Sequence, residues 1–161
     1  MFKILVVDDE PFNIDLIESA FVNDKDVEII KATSGMEALK KLNREIDVVL
    51  LDIRMPDITG IEVLKRIKND KNYEYLPVIM ITANPEEKYN ALKLGADDFL
   101  SKPIDTTEVK LKALNYAKVK QAYDKLDELV EERTRELKEA VEVAKKALFA
   151  MKRKDQLLNK K

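Results

Sequence analysis

Side chains with chemistry to offer follow directly on short apolar runs in this chain. Asp8 and Asp9 follow Ile4-Leu5-Val6-Val7, Asp52 follows Val48-Val49-Leu50-Leu51, Thr82 follows Val78-Ile79-Met80-Ile81, and Lys102 comes just after Phe99-Leu100. Wholly apolar runs of this length read as strands buried on both faces, as in a parallel sheet. In open α/β sheets ligands sit beyond the carboxyl ends of the strands, so all five residues would meet along one sheet edge. A carboxylate there can act as a nucleophile and form an acyl phosphate. Because the carboxylate and an incoming phosphoryl group are both anionic, the reaction needs a hard cation. Mg²⁺ takes oxygen ligands and commonly uses one or two carboxylates together with phosphate and water. Asp9 and Asp52 can coordinate it directly, and Asp8 directly or through water. Lys102 supplies a mobile positive charge for one phosphoryl oxygen and Thr82 a neutral donor for another, so that catalysis rests on positioning and electrostatics.

Each residue alone has a plainer reading. Asp8-Asp9-Glu10 could complement a helix dipole, Asp52 or Thr82 could cap a helix, and Lys102-Pro103 could be a solvated turn. Their joint placement at strand ends has no packing rationale. The chain has neither histidine nor cysteine, which excludes Ser/His/Asp and Cys/His catalysis, thiolate metal sites and disulfides, and fits a reducing cytoplasm. No apolar run approaches the roughly 18 residues of a membrane span.

The elements that must position these groups alternate. Strand, helix and strand cover Met1 to Lys31, with Pro11 suited to the first turn of the helix. A helix carries Ala38, Leu39 and Leu42, the Asp47–Leu51 strand follows, and a loop at 55–60 leads into a helix with Ile61, Val63, Leu64 and Ile67. Leu76–Ile81 is the next strand, Pro85 opens a helix closing at Gly95, and Ala96–Leu100 is the last strand. This alternation argues for a doubly wound, mostly parallel sheet.

From Thr106 on there is no proline or glycine for 56 residues. Asp105 or Thr106 is a suitable N-cap, and a single helix over this stretch would be about 80 Å long. Val119, Tyr123, Leu126, Val130, Arg133 and Leu137 follow 4-3 spacing. Leu137, Val141, Ala144, Leu148, Met151, Asp155 and Leu158 do so again, the registers meeting at Leu137 in a stutter. A coiled-coil seam is the natural reading, with Arg133 and Asp155 as its weak positions. Residues 119–161 carry twelve Lys/Arg against nine Asp/Glu, leaving a net −5 on residues 1–118 out of −2 overall. The domain boundary is therefore expected at 118/119.

The motifs Val6-Val7-Asp8-Asp9-Glu10-Pro11, Leu51-Asp52-Ile53-Arg54-Met55-Pro56, Ile81-Thr82-Ala83 and Ser101-Lys102-Pro103-Ile104 resemble the receiver domain of bacterial two-component response regulators over residues 1 to about 120. The resemblance implies a flavodoxin-like, five-stranded parallel sheet in the order 2-1-3-4-5. It implies phosphorylation of Asp52 by a histidine kinase, phosphotransfer protein or small phosphodonor. It also implies Mg²⁺, with Mn²⁺ as an alternative, held by Asp8, Asp9, Asp52 and the backbone carbonyl of Arg54. Thr82 and Lys102 would bind the phosphoryl group. Phe99 would turn inward as Thr82 moves, without the hydroxyl of a tyrosine at that position. Arg54 and Asn84 would tune hydrolysis.

With no histidine in this chain, the phosphoryl donor must be another molecule. The extension resembles signalling-helix linkers, and homodimerisation through Leu126, Val130, Leu137, Val141, Ala144, Leu148, Met151 and Leu158 is the expected use. Either the chain is a fragment of a longer regulator, or the helix is its own output element. Seven basic residues against one acid over 145–161 could attract nucleic acid or an anionic membrane, but the near absence of aromatics argues for a solvated helix end. Two other classes stand beside the switch. One is a degenerate receiver serving only as a dimerising scaffold. The other is an aspartate-nucleophile phosphatase, which carries an Asp two residues after the nucleophile, where this chain has Arg54.

Overall fold

The computed structural model describes residues 1–160; Lys161, the last residue of the expected extension, lies outside them. Strands and helices alternate as β1 (Phe2–Val7), α1 (Pro11–Ser19), β2 (Val27–Ala32), α2 (Gly35–Lys41), β3 (Val48–Asp52), α3 (Gly60–Lys68), β4 (Val78–Thr82), α4 (Pro85–Lys93), β5 (Asp98–Ser101) and α5 (Thr106–Asn159). A 3₁₀ turn at Lys71–Tyr73, which the sequence pattern does not announce, lies between α3 and β4. The five strands form one sheet in the order β2-β1-β3-β4-β5, and every pairing is parallel. This is the doubly wound, flavodoxin-like arrangement expected.

The central strands carry unbroken apolar runs because both sheet faces are covered. Leu5, Val7, Val49, Leu51, Val78 and Met80 pack with Ala38 of α2, Val63, Leu64 and Ile67 of α3 and Ala91 of α4. The alternate residues Ile4, Val6, Val48, Leu50, Ile79 and Ile81 pack with Ile14 and Ile17 of α1 and Val109, Ala113 and Ala117 of α5. The period of two sends successive residues to opposite faces. Burying each of the larger side chains contributes roughly 1.5–3 kcal/mol before entropy is counted.

Local chemistry sets the helix ends. Asp105 accepts from the backbone N–H groups of Thr107 (2.9 Å) and Glu108 (3.2 Å) and so caps α5. Helix α4 ends at Lys93, with Gly95 just beyond at φ 103°, a left-handed conformation natural to glycine. Asp57, in the β3–α3 loop, accepts from Gly35 N at 3.2 Å and Met36 N at 2.9 Å. These backbone donors at the start of α2, Met36 foremost, hold its carboxyl below the usual range.

The chain divides into two compact units, Met1–Ala122 and the segment from Tyr123 onward. In the first, packing continues past the charge break at 118: Lys120 is buried, and Gln121 Nε2 donates to Met1 O at 2.9 Å and Asp47 Oδ2 at 3.2 Å. The second is helical through Asn159. Its stripe of Leu126, Val130, Leu137, Val141, Ala144, Leu148, Met151 and Leu158 is exposed, with Leu137 66% and Leu158 60% accessible.

Candidate functional site

Strand register brings the chemical side chains together. Val7 pairs with Leu51, Asp52 with Ile81, and Thr82 with Ser101. The residues that follow these strands therefore emerge along the same edge of the sheet. The chain reverses sharply after Asp52, where Gly60 N donates to Ile53 O at 2.8 Å.

Asp8 and Asp52 are buried despite their charge. Carboxylate oxygens of Asp8, Asp9 and Asp52 all lie within 4.8 Å of one another, the one group of this kind among the described residues. Lys102 Nζ stands 3.0 Å from Asp52 Oδ1 and 3.6 Å from Asp8 Oδ2. Asp8 is fixed by Glu10 N (2.9 Å) and Asn13 Nδ2 (3.1 Å), each donating to a different carboxylate oxygen.

Burial pushes the Asp52 carboxyl up to about 6; the Lys102 hydrogen bond opposes this and the Asp8 charge adds to it. Burial disfavours the charge on Lys102, but the hydrogen bond and attraction to Asp52 outweigh it and hold its pKa above the ordinary value. Three carboxylates thus share this edge with the Lys102 ammonium.

Asp52, Arg54, Thr82, Asn84 and Lys102 line an open cleft of about 320 Å³. Thr82, itself buried, donates its hydroxyl to Glu87 Oε2 at 2.6 Å and accepts from Asn84 N at 3.0 Å. Arg54 Nε donates to the other oxygen of Glu87 at 3.0 Å. The half-buried Phe99 ring has Lys88 Nζ 4.2 Å and Lys112 Nζ 5.4 Å from its centroid, within cation–π range. The Lys102–Pro103 peptide is cis.

Residues 4–114 match the family model of the response regulator receiver domain. The chain belongs to that family. This receiver domain is 37% identical over 117 residues to the response regulator SaeR of Staphylococcus epidermidis, covering 71% of this chain and 50% of that protein. It is 42% identical over 113 residues to a CpxR homolog, a transcriptional regulatory protein of Haemophilus influenzae, covering 68% of this chain and 47% of the other. The chain thus spans about half the length of the curated relatives it matches. Among solved structures, the chemotaxis protein CheY4 of Vibrio cholerae superposes with a TM-score of 0.63 at 32% identity, covering 73% of this chain and 98% of CheY4. A receiver domain from Clostridium thermocellum does so with a TM-score of 0.67 at 29% identity, covering 76% and 99%.

The family implies a divalent cation, and the donors of this receiver domain suit one: closely grouped carboxylate oxygens, two of the three residues buried, are the hard ligands Mg²⁺ prefers. The five residues read from the strand ends all lie at this edge. Sequence reasoning passed over Asn13, which orients Asp8, and Glu87, which holds Thr82 and Arg54. Glu87 stands three residues after Asn84, the N-cap of α4. A capping-box reading would have marked it as a side chain reaching back past the helix start. Among the described residues, no helix is long and apolar enough to cross a membrane.

Proposed function

We propose that this receiver domain is a phosphorylation switch whose acceptor is Asp52. An Asp52 carboxylate oxygen attacks the phosphorus of a phosphohistidine on a partner kinase or phosphotransfer protein, or of a small donor such as acetyl phosphate. A P–O bond to Asp52 forms as the bond from phosphorus to the donor breaks, and the donor leaves with that electron pair. Lys102 and Thr82 donate to phosphoryl oxygens, and water later cleaves the acyl phosphate, releasing inorganic phosphate and restoring the carboxylate. Asp8, Asp9, Asp52 and the Arg54 carbonyl would hold Mg²⁺, or Mn²⁺, at this edge. The cation supplies the positive charge that lets two anions approach. The reaction is self-modification and self-dephosphorylation, not turnover of a separate substrate.

The observation that carries this reading is Lys102 Nζ at 3.0 Å from Asp52 inside a cluster of three carboxylates. Incubation with acetyl phosphate and Mg²⁺ should modify the wild type and leave Asp52→Asn unmodified. Equal labelling of both would overturn it.

The output runs through the helix: a receiver drawn at residues 1–118 by charge, with packing that reaches Gln121, continues into a dimerising extension over 119–161, working in the cytoplasm. Support comes from the exposed stripe from Leu126 to Leu158, which a second copy would cover in knobs-into-holes packing. Rearrangement around Thr82 and Phe99 would bias the geometry of this pairing. The same stripe favours a second reading, a degenerate receiver that only dimerises. That reading expects the dimer without any Mg²⁺-dependent modification.

A further inference from the structure

Glu87 is not among the cleft's lining residues, yet it grips two that are. One carboxylate oxygen accepts the Thr82 hydroxyl at 2.6 Å, and the other accepts Arg54 Nε at 3.0 Å. A hydroxyl has a single proton to donate. While Thr82 gives it to Glu87, Thr82 has none for an anion bound at Asp52. The Glu87 side chain is 24% exposed and Thr82 is buried, so this charge-assisted bond is largely shielded from water. Arg54 is 75% exposed, so its ion pair with Glu87 is the weaker hold. Glu87 also sits in the first turn of α4 (Pro85–Lys93), where release of its partners would be felt by the helix.

We infer that Glu87 is a positioning residue that acts as a latch: its carboxylate competes with a phosphoryl group at Asp52 for the Thr82 hydroxyl, and so sets how readily the site is filled. This rests on the reading of Asp52 as the acceptor. Filling the site transfers the Thr82 hydrogen bond from Glu87 to a phosphoryl oxygen and frees the first turn of α4. No covalent bond changes at Glu87.

The test is titration calorimetry of beryllofluoride, a phosphoryl mimic, into the full chain with excess Mg²⁺. Glu87→Ala should tighten binding by about 3- to 10-fold, the net scale of one hydrogen bond no longer in competition. Glu87→Gln, which keeps an acceptor but no charge, should fall between Glu87→Ala and wild type. In a Thr82→Val background, where there is no hydroxyl to release, Glu87→Ala should change affinity by less than about 2-fold. Far-ultraviolet circular dichroism establishes that each variant is folded. Should Glu87→Ala not fold, Glu87→Gln carries the comparison alone.

Unchanged or weaker binding by folded Glu87 variants overturns the latch, as does an equal gain in the Thr82→Val background. Both outcomes leave Asp52 as acceptor if Asp52→Asn abolishes the wild-type signal. A wild type that shows no Asp52-dependent binding overturns the acceptor reading, and the latch with it.

Discussion

Gly60 packs directly on the backbone of Asp52. A β-carbon at position 60 would stand 2.1 Å from the Asp52 carbonyl oxygen and 2.8 Å from Ile53 Cα. The first residue of α3 is therefore what lets the chain close tightly behind Asp52. Backbone atoms cannot swing away as a side chain can, so Gly60→Ala must push β3 and α3 apart. It should cost about 2–4 kcal/mol in urea unfolding, toward the upper end of overpacking effects. It should also displace Asp52 enough to slow its modification by acetyl phosphate at least several-fold. An Ala variant of wild-type stability would contradict this packing.

Asp52 is a liability to the fold when no cation is bound. Its carboxyl is raised from 3.8 to about 6, chiefly by burial. A folded-state value above the unfolded one means that ionisation weakens the folded state, with the full penalty present above about pH 6. At pH 7.5 in EDTA, Asp52→Asn should therefore melt higher than wild type, by about 1–2 kcal/mol in stability once the lost Lys102 partner is allowed for. Added Mg²⁺ should raise the wild-type melting temperature more than that of the variant. Thermal melts of both proteins with and without Mg²⁺ decide it, and a destabilised Asp52→Asn would count against the account.

Glu37 has the opposite sign. A hydrogen bond from Lys41 at 2.7 Å comes first among the causes, followed by the Thr33 N–H and hydroxyl at 2.9 Å each, and together they lower its carboxyl from 4.5 to about 2. The stability it contributes is fully present above pH 4.5 and is lost as pH falls toward 2. Because the side chain is 35% exposed, solvent screening limits the gain to about 0.5–1 kcal/mol. Glu37→Gln should lose that amount at pH 7, and most of the difference from wild type should be gone near pH 2.5, as urea unfolding at the two pH values would read.

The proposed dimer is one in which a second copy covers the stripe from Leu126 to Leu158. Leu137→Glu combined with Leu148→Glu places like charges in the seam and should turn a dimer into a monomer at tens of micromolar by sedimentation velocity, without changing the melting of the receiver. A wild-type monomer at that concentration would remove the seam from the account.

The sheet was legible in the sequence because Val48–Leu51 and Val78–Ile81 are covered on both faces and so carry unbroken apolar runs. Asp52 and Thr82 were legible because each follows its run without a gap. What depends on how the folded elements turn individual side chains toward one another was not. The Thr82 hydroxyl turns to Glu87 only because α4 brings that carboxylate within reach, and Asn13 meets Asp8 only through the packing of α1. The reach of the first unit past 118 rests on Gln121 meeting Met1 and Asp47, residues far apart in sequence. Asp57 reads as a loop residue, yet it anchors the start of α2.

The identity of the modified residue tests the central claim most directly. Wild type treated with acetyl phosphate and Mg²⁺ would be reduced with borohydride, which converts an aspartyl phosphate to homoserine, and then mapped by peptide mass spectrometry. Conversion at Asp52 alone, abolished by EDTA and by Asp52→Asn, is the expected result. Conversion at another carboxylate, or undiminished phosphoryl incorporation in Asp52→Asn, would contradict it.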